Sequence, residues 1–109
     1  MKKKAPDRIP THFTKFVKDF PKVAASYGTL SKACKSAGPL NKKTAALVKL
    51  GVAIGSKREG AVHSHTRKCL EAGAREREIR HAVILALTTI GFPSMMAALS
   101  WVNDVLEQQ

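Results

Sequence analysis

The chain has 109 residues, with 19 Lys and Arg against eight Asp and Glu for a formal charge of +11, a length that fits one core and leaves no room for a second domain. Hydrophobic residues make up 44% of it, but aromatics number only four Phe, one Tyr and one Trp, so small aliphatic side chains packed between helices, an all-α protein, are expected. Cys34 and Cys69 are too few for a disulfide framework, which points to a cytoplasmic location.

Residues 1–10, "MKKKAPDRIP", read as a disordered basic arm with neither signal peptide nor anchor. Residues 11–109 read as a single helical domain. No later apolar run reaches the roughly 18 residues that a membrane span needs. Pro10 and Thr11 predict the start of a short first helix ending near Phe20. Pro21 suits a helical first turn, which predicts a second helix over 21–37, stopped by Gly38 and Pro39. Asn41 is the expected N-cap of a third helix, to about residue 56. Its "AALVKLGVAIG" is apolar around nearly the whole circumference except for Lys49, the pattern of a helix surrounded by others.

Residues 59–72 predict an amphipathic helix with Gly73 as its stop. "REREIRHAVILALTTIGF" then has a polar first turn followed by a strongly apolar run, and Pro93 marks the junction with a last helix ending near Leu106. On that helix Met95, Leu99, Val102 and Leu106 share one stripe, with Met96, Trp101 and Val105 elsewhere around it. A chain this short has limited means to bury so many apolar faces, so a homo-oligomer is expected. The positive charge is spread along the chain, a solvated surface rather than the concentrated patch of a nucleic-acid interface.

The residues able to carry chemistry gather in "EGAVHSHTRKCLEAGA", 59–74. On an ideal helix Arg58, Val62, His65 and Cys69 share a stripe, with Ala61 and Ala72 beside it, and the small apolar members turn it toward the core. His65, partly desolvated and near cations, has the character of a general acid or base; the competing reading is a hydrogen-bonded structural histidine. Cys69, one turn later, is a nucleophile only if His65 stabilises its thiolate, and otherwise a small buried hydrophobe. Glu59 and His63, four apart, can pair, the carboxylate orienting the ring. His63 and His65 point roughly 200° apart, so no metal set is complete on this helix; a ligand from elsewhere, such as His81 or another subunit, would be required. No metal and no cofactor is assigned.

"HTRKCLEAGAREREI", with the preceding "AALVKLGVAIGSKREGAVHS" and the later "GFPSMMAAL", resembles the carboxymuconolactone decarboxylase and alkylhydroperoxidase D-like family from about Tyr27 to Val105. The resemblance implies a small all-helical fold assembled as trimers or hexamers. In the family's peroxidase branch the site is a glutamate, a Cys-x-x-Cys pair and a histidine four residues after the second cysteine. Matched at His65, those cysteine positions fall on Arg58 and Ala61 and the glutamate position on Ala46. A dithiol mechanism therefore does not carry over. The decarboxylase branch also lacks the cysteine pair and uses a histidine on this helix for acid/base chemistry on an acidic lactone.

The resulting expectation is cofactor-independent acid/base chemistry, of lyase or isomerase type, on a small anionic metabolite. Arg58 would anchor the anion by a two-pronged contact, His65 would transfer protons, and Glu59 would tune His63 as a second acid/base pair. Two alternatives stand beside it: the peroxiredoxin-type oxidoreductase activity of the family's redox branch, disfavoured by the missing dithiol, and a non-enzymatic oligomeric scaffold binding acidic ligands or nucleic acid.

Overall fold

The computed structural model describes residues 11–108, and among them every regular element is a helix: α1 (Thr11–Asp19), α2 (Pro21–Lys35), α3 (Lys42–Ser56), α4 (Glu59–Glu71), α5 (Glu76–Leu85), α6 (Leu87–Ile90) and α7 (Phe92–Leu106). The all-α fold read from the composition is what the chain adopts. The expected basic arm over 1–10 lies outside the described residues. The chain divides into two compact units, one running to Leu40 and the other beginning at Asn41.

The first unit is the α1–α2 pair. Pro21 occupies the first turn of α2, where its missing N–H costs nothing. The Phe16 and Phe20 rings lie 5.9 Å apart across the junction. The helix ends at Lys35, and the Ser36 hydroxyl donates back to the Lys32 carbonyl at 3.1 Å. Neither helix carries a buried residue.

The second unit holds the core. Asn41 caps α3 as its sequence position predicts, its side-chain oxygen accepting the Thr44 N–H at 2.8 Å. After α3 the chain reverses through Lys57, in the left-handed region at φ 59, and Arg58 follows in extended conformation before α4 begins. At the far end of α4, Gly73 has φ +94. That lets the Ala74 N–H reach the Cys69 carbonyl at 2.9 Å and the Gly73 N–H reach the Leu70 carbonyl at 3.1 Å, the paired bonds of a Schellman stop, with Cys69 and Ala74 both buried beneath it.

Helix α4 packs on α3 and on α7, and α5 also touches both. The shared core is built from Leu50, Ala53 and Ile54 of α3, Val62 and Cys69 of α4, Ile79 and Val83 of α5, and Met95, Ala98, Val102 and Leu106 of α7. Thr66 is buried among them without an orphaned hydroxyl, because its Oγ1 donates to the Val62 carbonyl at 2.7 Å.

Two details differ from the sequence expectation. The apolar run after Glu76 is interrupted at Ala86, where the bonds Ala86 to Val83 and Thr89 to Ala86 shorten the step to three residues; a separate turn, α6, then ends at Gly91, φ +91. On α7 the fully buried line runs through Ala98, Val102 and Val105, with Met95 and Leu106. Leu99 is half-buried against the core, and Val105, expected off the stripe, is fully buried.

Candidate functional site

Helix α4 presents chemistry on two sides, and the residues at 62, 66 and 69 that face the core divide them. His63 turns toward α7. Its Nε2–H donates to Asp104 Oδ2 at 2.9 Å, and Glu59 Oε2 lies 3.8 Å from the same nitrogen. The ionised carboxylate can only accept, so the hydrogen bond fixes the proton on Nε2. The His63 side chain is 18% exposed, against 57% for Glu59 and 46% for Asp104, so the ring is sheltered while the two carboxylates reach solvent.

His65, two residues on, faces different neighbours. It is half-buried, and its pKa is lowered from the ordinary 6.5, first by desolvation and then by the ammonium groups of Lys68 on α4 and Lys49 on α3. Its neutral form is thus the favoured one at neutral pH, and a bare ring nitrogen is available to accept a proton. Lys49, the single interruption in the apolar run of α3, is therefore placed in this histidine's field.

Arg58 is the N-cap residue of α4, with φ −111 and ψ 114, so it stands just before the helical stripe on which its spacing placed it. It is exposed and makes no ion pair among the described residues. The Cys69 thiol is fully buried and burial pushes it up to about 11, so it is protonated and shielded near neutral pH. Cys34 is exposed on α2.

The structure thus joins Glu59 to His63 as the spacing predicted and adds Asp104, which is the nearer partner. Sequence reading missed Asp104 because it lies 41 residues further on, in α7, and a lone acid in an apolar helix carries no local signal of its partner. His81, the other candidate ligand, is elsewhere. It lines a groove of about 550 Å³ between α3, α5 and α6, with Glu78, Leu47, Val48, Leu85 and Ile90. None of Arg58, Glu59, His63, His65 or Cys69 lines that groove.

The sequence profile of the carboxymuconolactone decarboxylase family matches residues 21–104, most of the chain. The chain belongs to this family. The carboxymuconolactone decarboxylase fold is also seen in the crystal structure of an apo family protein from Legionella pneumophila, to which this chain is similar at a TM-score of 0.77 with 26% identity, over 90% of this chain and 88% of that one. No curated protein matches the chain.

Proposed function

We propose that this carboxymuconolactone decarboxylase family protein carries out cofactor-independent acid/base chemistry, of lyase or isomerase type, on a small carboxylate-bearing metabolite, with His65 moving the proton. The observation that carries the reading is a half-buried imidazole whose neutral form is favoured, first by desolvation and then by the ammonium groups of Lys68 and Lys49. A bound carboxylate would neutralise the field of Lys49 and Lys68, and the neutral ring beside it would take a proton from the carbon next to the substrate carbonyl. Arg58, exposed at the start of α4 and without an ion pair among the described residues, is suited to guide or clamp a second anionic group by its planar fork. His63, already engaged by Asp104, is not placed to share that proton. Peroxiredoxin-type turnover has no support in a thiol that burial keeps protonated.

The same reading includes a homo-oligomer, a trimer or hexamer as the family resemblance implies. It is supported by large apolar side chains left exposed on the α3–α7 unit, among them Val52 at 68% and Leu85 at 62%. No helix is long and apolar enough to cross a membrane among the described residues.

The test is an NMR titration of the histidine rings with and without small carboxylates and carboxylated lactones. His65 is expected to titrate below 6.5 and to move upward when a carboxylate binds, because the anion favours imidazolium. Turnover of a carboxylated lactone should vanish in His65→Gln while the fold remains, and Arg58→Lys should bind the anion more weakly although its charge is kept. A His65 indifferent to every carboxylate would sink the reading and leave the scaffold alternative.

A further inference from the structure

Two carboxylates and one imidazole converge at the face between α4 and α7. Glu59, His63 and Asp104 each offer one donor atom, and these atoms all lie within 4.8 Å of one another. The protein gives these two solvent-reaching carboxylates one hydrogen bond between them. His63 has a single Nε2–H and gives it to Asp104 at 2.9 Å, while Glu59 Oε2, facing the same nitrogen at 3.8 Å, is beyond hydrogen-bond reach of it. Two anions therefore face one proton, in a protein where cations outnumber acids 19 to eight. Among the described residues other acids take lysine or arginine partners: Glu78 pairs with Lys43, Glu76 with Arg80 and Asp19 with Lys15, whereas the ion pairs of Glu59 and Asp104 both run to His63.

A dication would satisfy all three groups at once. Bonds of about 2.1 Å in tetrahedral geometry place neighbouring donor atoms roughly 3.4 Å apart. The observed 2.9 and 3.8 Å bracket that spacing. The helical spacing of Glu59 and His63 puts the first two donors on one face, and Asp104 closes the set from a second helix, which is the ligand from elsewhere that α4 alone lacks.

We propose that Glu59, His63 and Asp104 form a binding site for a divalent transition-metal ion of the zinc, manganese or iron(II) class. The imidazole gives the site its selectivity, since calcium and magnesium take oxygen ligands almost exclusively. Three protein donors leave at least one coordination position open, and the exposure of Glu59 and Asp104 turns it toward solvent. Binding takes the Nε2 lone pair, so a neutral ring keeps its single proton on Nδ1, while an imidazolium must lose one proton for each ion bound, and affinity therefore falls in acid. The site is separate from His65 and does not depend on the acid/base reading.

The experiment is a titration of chelator-treated protein with cobalt(II) and zinc(II), in a Cys34→Ser background that removes the exposed thiol. One equivalent of cobalt should bind per chain with visible d–d absorption and be displaced by zinc. His63→Ala should weaken binding by more than about 100-fold, beyond what changes outside the ligand shell cost. Asp104→Asn and Glu59→Gln, both at exposed side chains, should each weaken it by about tenfold or more. His65→Gln should leave it unchanged, and magnesium in large excess should not compete. Absence of a stoichiometric cobalt complex would overturn the site, as would unchanged binding in His63→Ala with Asp104→Asn, loss of binding in His65→Gln, or equal competition by magnesium.

Discussion

A cysteine one turn from a histidine invites a nucleophilic reading, and the surroundings of Cys69 decide against it. Its neighbours Val62, Thr66 and Ala74 are all buried, and the loss of hydration raises the thiol to about 11. Exposed Cys34 should therefore alkylate at neutral pH while Cys69 stays unmodified until the protein unfolds, as mass spectrometry of the modified peptides would read. Peroxide consumption with a dithiol reductant should remain at background in the native protein and in Cys34→Ser, Cys69→Ser alike. Turnover lost only in the double variant would make Cys69 a working nucleophile after all. His65 meets the same desolvation with the opposite chemical result: burial lowers a cationic acid and raises a neutral one, so both groups on this helix favour their uncharged forms.

Between elements, the most informative contact is Glu78. Its Oε1 accepts the Arg75 backbone N–H at 2.8 Å at the start of α5, and its Oε2 meets Lys43 of α3 at 3.0 Å, so one carboxylate caps a helix and ties it to its neighbour. The backbone bond first, then Lys43, lowers its pKa from 4.5 to about 2. A depressed carboxylate contributes stability that is complete above 4.5 and disappears as pH falls through about 2. Glu78→Gln should accordingly be less stable than the native chain near neutral pH, with the gap closing across that acid window in denaturant titrations. A gap independent of pH would mean that the charge is immaterial. Helix ends were the legible part of this scale: Pro21, Asn41 and Gly73 act through their own backbones, so their positions could be read without a fold. The pairing of Lys43 with Glu78, or of His63 with Asp104, arises only when α3 meets α5 and α4 meets α7. For the same reason the sequence stripe on α7 left out Val105, which the fold buries completely.

For the whole molecule the governing force balance is between charge and apolar surface. At +11, copies of the chain repel one another. Yet Val48 and Val52, one turn apart on α3, and Ile84, Leu85, Phe92 and Met96 are exposed in the unit that carries the core. Burying such side chains is worth roughly 1.5–3 kcal/mol each at full coverage, so a few of them in an interface offset a screened repulsion. The expected outcome is an assembly larger than a dimer by light scattering at micromolar concentration. Val52→Glu and Leu85→Glu, at positions exposed in the single chain, should leave the helical content intact and release smaller species. Salt provides the discriminating readout. An assembly held by apolar contact against like charge tightens as salt screens the repulsion, whereas binding of nucleic acid, the scaffold alternative, weakens steeply with salt. A stable monomer at every ionic strength would count against the oligomer.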